Sequence, residues 1–114
     1  MIMGVLYLEK IVYTFPATKK IQRFSHVGVV GSGDLEVIMK PTNNAETEVT
    51  IRTGVPGYKN IWEAVIQRFF TQNDIAAKVK INDFGATPGV VKLRLEQALE
   101  VSGDDKNDKN CQFC

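Results

Sequence analysis

The hydrophobic positions in the first half of the chain recur at every second residue, which is the spacing of a half-buried strand. In residues 10–15, Ile, Tyr and Phe alternate with other residues until Pro16, so this segment predicts a strand that the apolar residues 5–8 extend backwards. Three further runs favour strands by composition or alternation: residues 24–30, 35–40 and 47–53. The first half of the chain therefore predicts four strands.

A short glycine-containing segment, Gly31-Ser32-Gly33-Asp34, separates the second predicted strand from the third. Glycine adopts positive φ without steric cost, and this composition is typical of a tight hairpin turn. A serine between two glycines at a hairpin tip has its hydroxyl in solvent, with no neighbouring side chain to block approach. A modifying enzyme could therefore reach such a hydroxyl and attach a group to it.

The hydrophobic period changes in the second half of the chain. Apolar residues between 61 and 70 recur at steps of one, three and four, which predicts a helix with Trp62, Phe69 and Phe70 in the core. Asn60 is the predicted N-cap, with Glu63 three residues later as in a capping box. Residues 77–81 alternate again and predict a short strand.

The last regular segment fits two interpretations. Thr87 followed by Pro88 is a strong helix start signal, and residues 91, 95, 98 and 99 then share one helical face. Residues 91–96 also alternate, so a strand up to residue 96 stays open. The capping signal and the helix propensity of residues 96–100 favour the helix.

The complete order is four strands, helix, strand, helix, which predicts an α+β fold. We expect a largely antiparallel sheet with two helices packed on one face. Residues 1–102 are expected to form a single domain, and residues 103–114 a flexible polar tail.

Composition and charge argue against nucleic-acid and membrane partners. The 114 residues are 44% hydrophobic and 24% charged, as in ordinary globular proteins. Lys and Arg number 14 against 13 Asp and Glu, a net charge of +1, whereas nucleic-acid binding needs clustered cations. The sequence has neither a run of about 20 apolar residues nor the features of a signal peptide. We therefore expect a cytoplasmic protein without a nucleic-acid or membrane partner.

The residue types of a hydrolytic triad are present, because the chain has His26, Ser32 and either Asp34 or Asp83. A nucleophile elbow, however, needs glycine two residues before and two residues after the serine, and neither position is glycine. A strand over residues 24–30 would place His26 roughly 15–20 Å from Ser32, at about 3.3 Å per residue. A general base must come within about 3 Å. We therefore predict no catalytic residue and interpret His26 as a packed or surface residue.

Cofactor and metal motifs are equally weak. The glycine spacing in residues 28–33 is G-x-x-G-x-G, which is not the dinucleotide-binding fingerprint. Cys111 and Cys114 form the only C-x-x-C pair and follow a polar segment at the end of the chain, without a second pair to complete a zinc site. We expect incidental tail thiols and no metal site.

Two longer segments resemble a known family. Residues 29–37 (VVGSGDLEV) and 83–97 (DFGATPGVVKLRLEQ) resemble the acyl carrier protein (delta) subunit of bacterial malonate decarboxylase, in the order and spacing of that family. The resemblance implies that Ser32 carries a prosthetic group derived from 2'-(5''-triphosphoribosyl)-3'-dephospho-CoA through a phosphodiester. Gly31, Gly33 and Asp34 are then expected to support the turn.

The resemblance also implies a function. The chain would be a non-catalytic carrier that holds acetyl or malonyl as a thioester on its prosthetic group. Its expected partners are the acyltransferase and decarboxylase subunits, a malonyl-loading transferase and the transferase that attaches the prosthetic group. Two alternatives stay open: a citrate lyase acyl carrier subunit, which lacks the Phe-Gly-Ala-Thr-Pro-Gly run, and a non-covalent adaptor in which Ser32 is only a turn residue.

Overall fold

The computed structural model describes residues 9–29, 33–55 and 57–103. Its elements are four strands, a helix, a strand and a helix: β1 (Glu9–Pro16), β2 (Ser25–Gly28), β3 (Asp34–Pro41), β4 (Glu46–Thr53), α1 (Lys59–Gln72), β5 (Ala77–Phe84) and α2 (Pro88–Val101). This order confirms the predicted α+β fold. The predicted extension of β1 into residues 5–8, the turn residues Gly31 and Ser32, and residues 104–114 with both cysteines lie outside the described residues.

The described strands form one mixed sheet in the order β1-β4-β5-β3-β2. Three neighbouring pairs are antiparallel, and β4 and β5 are parallel. The prediction of a largely antiparallel sheet is therefore confirmed. The parallel pair arises because α1 connects β4 to β5, and a crossover through a helix returns the chain in the same direction.

The core lies between the helices and one face of the sheet. Alternate residues of each long strand point into it, as the period-two pattern predicts, and both helices contribute their apolar faces. Trp62, Phe69 and Phe70 are 5–7% exposed, which confirms their predicted core positions. The Phe70 ring stacks on Phe15 of β1 with centroids 5.6 Å apart. The opposite face of the sheet carries mainly polar side chains, such as Lys78 of β5.

The predicted capping box of α1 is wrong. The helix begins at Lys59 with Tyr58 in the N-cap position, and no side chain makes a capping hydrogen bond. The first turn is closed by the amide of Trp62, which donates to the Tyr58 carbonyl at 2.9 Å, so Asn60 already lies inside the helix. Ile61, which the pattern assigned to the buried face, is 45% exposed. Tyr58 and Ile61 therefore leave apolar surface exposed at the start of α1.

The second helix confirms the predicted start at Thr87 and Pro88. The Thr87 hydroxyl accepts a hydrogen bond from the Val90 amide at 3.3 Å, and Pro88 occupies the first turn. Val91 and Leu95 are buried whereas Leu93 is 49% exposed. In a strand these three side chains would share one face, so their burial is that of a helix.

Candidate functional site

The hairpin of β2 and β3 carries the glycine-containing turn. The two strands pair in antiparallel register, with Val27 opposite Val37 and Gly28 opposite Glu36. Gly28 has φ +79°, and a Cβ at this position would overlap the carbonyl oxygen of Leu35. Only glycine therefore allows the close backbone approach at the base of this hairpin.

Gly33 begins the described chain on the far side of the turn. Its amide donates to the Phe84 carbonyl at 2.9 Å, which fixes this position to the end of β5. Its φ is +76°, and among the described residues beyond its chain neighbours no atom lies within 4 Å of the place where a Cβ would be. The residue that directly follows Ser32 in the sequence is thus held by its backbone and open to solvent on its side-chain side.

Asp34 is held by an arginine from α2. Its Oδ1 accepts hydrogen bonds from the Leu35 amide at 2.7 Å and from Arg94 Nε at 3.1 Å, and its Oδ2 accepts from Arg94 Nη2 at 2.9 Å. The Asp34 and Arg94 side chains are 21% and 28% exposed. Such a bidentate pair fixes both the position and the direction of the carboxylate. Arg94 thereby ties the start of β3 to α2.

Sequence reasoning missed Arg94 because it lies 60 residues from Asp34. Pairing between such distant residues leaves no periodic signal. The available signal was that both residues fall within the two segments that carry the family resemblance, residues 29–37 and 83–97.

The ion pair changes the titration of both partners. The hydrogen bonds from Arg94, then the one from Leu35, lower the pKa of Asp34 below its ordinary value, although burial acts in the opposite direction. The same pair raises the pKa of Arg94. Because the Asp34 pKa is lower in the folded than in the unfolded chain, its stabilising contribution is present above about pH 3.9 and is lost as the pH falls through the folded-state pKa.

We expect Asp34→Asn to lower the stability of the protein at pH 7 and to reduce the stability lost on acidification below about pH 4. The effect is modest because solvent screens a pair that is about one-quarter exposed. Urea unfolding at pH 7 and at pH 3 measures both changes. Glu48→Gln, at an exposed position of β4, is the control. Equal acid sensitivity of Asp34→Asn and the unsubstituted protein would contradict the prediction.

The residue types of the triad do not converge in the described part of the chain. His26 is exposed, and its Nε2 lies 2.7 Å from Glu36 Oε2 on the sheet face away from the helices. Glu36 Oε1 also accepts a hydrogen bond from Asn82. Asp83 points to the opposite face, where its carboxyl oxygens accept from Thr53 Oγ1 and the Ala86 amide, each at 2.9 Å. His26 and Asp83 therefore lie on different faces of the sheet.

Two further properties concern residues 9–29, 33–55 and 57–103, which the structure describes. No helix there is long and apolar enough to cross a membrane, since each has 14 residues. The same ranges contain no group of three or more His, Cys, Asp or Glu side chains arranged to hold a metal ion.

The described residues on both sides of residues 30–32 are thus fixed by backbone hydrogen bonds and by one ion pair. A group attached at such a place can move while its anchor stays still. This organisation suits a carrier domain, which presents a tethered group to other proteins. It differs from the convergent side chains of an active-site cleft.

The comparisons identify the particular carrier. The sequence profile of the malonate decarboxylase delta subunit (MdcD), an acyl carrier protein, matches residues 22–102. The chain belongs to this family and is an acyl carrier subunit of malonate decarboxylase, as the two sequence segments predicted. Of the two carrier families considered from the sequence, the match favours malonate decarboxylase over citrate lyase.

Individual proteins similar to this chain are also components of malonate decarboxylase. The chain is 42% identical over 99 residues to the malonate decarboxylase acyl carrier proteins of Pseudomonas aeruginosa (strain UCBPP-PA14) and Stutzerimonas stutzeri (strain A1501), covering 86% of this chain and all of each relative. A chain in the crystal structure of a Pseudomonas malonate decarboxylase hetero-tetramer in complex with malonate matches with a TM-score of 0.80. Its sequence identity is 40%, and the match covers 84% of this chain and 100% of that chain.

Proposed function

We propose that this chain carries acetyl and malonyl groups within a malonate decarboxylase complex. The attachment site is Ser32, which bears a prosthetic group derived from 2'-(5''-triphosphoribosyl)-3'-dephospho-CoA through a phosphodiester. When bound, the group supplies a terminal thiol that holds the acyl group as a thioester. Family membership and the Gly-Ser-Gly-Asp segment at residues 31–34 support this proposal.

Ser32 is proposed as the attachment site because the other serines of the chain are buried. The chain contains three serines. Ser25 and Ser102 are each 1% exposed, and their hydroxyls donate to the carbonyls of Ala98 and Leu99 at 2.9 and 2.6 Å. A transferase must reach the hydroxyl that it modifies, so neither of these serines can serve. Ser32 is the remaining serine, and in the sequence it lies in the segment that connects β2 to β3.

The described neighbours of Ser32 fit a bulky, negatively charged group. Among the described residues, Gly33 leaves open space where a side chain would lie, which suits a bulky group on the preceding residue. Asp34 is the nearest acidic residue in the sequence and would repel the phosphate if its charge were unpaired. Arg94 holds that carboxylate at 2.9 Å and offsets its charge. We propose that Gly31 and Gly33 permit the turn and that Asp34 supports it through this pair.

The proposed work of the chain is to move acyl groups between partners. These partners are the acyltransferase and decarboxylase subunits, a malonyl-loading transferase and the transferase that attaches the prosthetic group, all in the cytoplasm. Tethering replaces free diffusion by a local search, so the length of the arm sets the effective concentration at each partner. We also propose that residues 1–102 form the carrier domain and that residues 103–114 are a polar tail outside it.

Intact mass spectrometry tests the attachment. After co-expression with the prosthetic-group transferase, we expect one added group per chain, and mild alkali is expected to release it because the linkage joins phosphate to serine. An unshifted mass under these conditions would contradict the carrier proposal. That result would favour the non-covalent adaptor, in which Ser32 is only a turn residue.

A further inference from the structure

An apolar groove of about 250 Å³ lies between the start of α1 and the loop that connects β5 to α2. Its walls include Tyr58, Ile61, Trp62, Ala86, Pro88 and Val91. Tyr58 and Ile61 are 48% and 45% exposed, so they leave apolar surface in contact with water at the rim. Trp62 and Val91 also belong to the core, whereas Tyr58 and Ile61 are not among the core residues.

One end of the groove lies beside Gly33, the first described residue after the proposed attachment site. Gly85 lines one end of it, and a Cβ at Gly85 would lie 3.8 Å from the backbone nitrogen of Gly33. Gly33 is also hydrogen-bonded to Phe84, the residue before Gly85. Ser32 precedes Gly33 in the chain, and consecutive Cα atoms are about 3.8 Å apart. An arm anchored at Ser32 therefore starts beside the Gly85 end of the groove.

The size and chemistry of the groove indicate which part of the prosthetic arm fits it. Its volume equals that of about eight water molecules at about 30 Å³ each, which suits a short apolar terminal segment. The walls are mainly apolar, and the carboxyl oxygens of Asp83, the acidic residue in the lining, already accept hydrogen bonds from Thr53 and Ala86. An uncharged thiol or acetyl thioester matches these walls. A malonyl carboxylate would lose its hydration there without a described cation among the lining residues to compensate it.

We propose that this groove binds the thiol or acetyl-thioester end of the carrier's own prosthetic arm, and that loading with malonyl releases the arm into solvent. The inference rests on the proposed attachment at Ser32. The uncharged acetyl form has the higher affinity for the groove, and the charged malonyl form has the lower. Exchange of acetyl for malonyl therefore shifts the arm from the groove into solvent. The acetyl form is shielded, and the malonyl form is presented to the partner that decarboxylates it.

Thiol reactivity of the loaded, full-length protein tests the groove. Cys111→Ser and Cys114→Ser remove the two cysteine thiols of the chain, so that the arm carries the only thiol. Ile61→Glu then places a charge at the exposed rim. If the groove holds the thiol for about nine-tenths of the time, alkylation by iodoacetamide is about tenfold slower in the parent than in Ile61→Glu. Leu93→Glu, 49% exposed on α2 and not among the groove residues, is the matched control and should keep the slow rate.

Tryptophan fluorescence gives a second readout without partner proteins. Trp62 is the single tryptophan of the chain and lines the groove. Trp62 is already 5% exposed, so we expect contact with the acetyl end to change its emission wavelength or intensity, relative to the unmodified and malonyl-loaded proteins, rather than to remove water from it. Tyr58→Lys, a second substitution at the rim, should remove this change, and a circular dichroism melt shows that each variant is folded.

The outcomes separate this inference from the proposed function. An added mass together with equal alkylation rates in the parent, Ile61→Glu and Leu93→Glu proteins would overturn the groove proposal alone. Identical Trp62 spectra for the acetyl and malonyl forms would overturn release by malonyl. If no mass is added, the attachment at Ser32 fails and the groove proposal fails with it.

Discussion

Ser32→Ala is expected to abolish the mass increase completely while leaving the protein folded. The phosphodiester requires a side-chain hydroxyl, and the two other serines are buried with their hydroxyls bonded to carbonyls. A substitution in a turn away from the core usually changes stability by no more than about 0.5 kcal/mol. Intact mass after co-expression with the transferase measures the first effect, and the urea unfolding midpoint measures the second.

The control for this experiment is another turn substitution. Asn43 is exposed in the turn between β3 and β4, and Asn43→Ala should accept the group as the unsubstituted chain does. A Ser32→Ala protein that still gains the mass would place the attachment elsewhere. A Ser32→Ala protein that unfolds would instead give Ser32 a structural role.

Gly28→Ala is expected to cause the largest loss of stability among the substitutions considered. Gly28 has φ +79°, a conformation that costs an L-residue roughly 1–2 kcal/mol. The new methyl group would also overlap the Leu35 carbonyl oxygen and lie 3.3 Å from Arg94 Cδ, so β2 and β3 must move apart at the base of the hairpin. Overpacking of this kind adds about 1–3 kcal/mol, and we expect a total loss of about 3 kcal/mol.

Gly33→Ala is the matched comparison. Gly33 has nearly the same backbone conformation, φ +76°, but apart from its chain neighbours no described residue has an atom within 4 Å of its Cβ position. It should therefore lose only the conformational part, roughly 1–2 kcal/mol. Urea unfolding of the two variants side by side measures the difference. Equal losses would show that the contact with Leu35 carries no cost and that the hairpin base adjusts freely.

Local patterns predicted most of the fold because one face of this sheet is buried and the other is exposed. Leu35 and Val37 alternate with exposed or partly exposed neighbours for that reason, and the same pattern is visible in the sequence. The start of α2 was equally local, since Thr87 caps an amide three residues away. The start of α1 could not be predicted locally. Asn60 has the residue type of an N-cap, but the helix begins at Lys59, one residue earlier.

Some features of the candidate site were also predicted from the sequence, and others were not. The sequence predicted the hairpin on both sides of residues 31–34, and its two resemblance segments predicted the family that the comparisons confirmed. It did not predict that Arg94 holds Asp34 or that Gly85 lies beside Gly33. The attachment to Ser32 stays a prediction until the mass is measured.

The amino-acid sequence by itself determined the number and order of the elements, the hairpin turn and the membership of an acyl carrier family. These features depend on residues that are near one another in the chain, or on a motif that is read directly. The tertiary structure alone decided the strand order, the parallel pairing of β4 with β5, the Asp34–Arg94 ion pair and the groove beside Gly85. Each of these depends on contacts between residues far apart in the chain, which form only when the helices pack on the sheet.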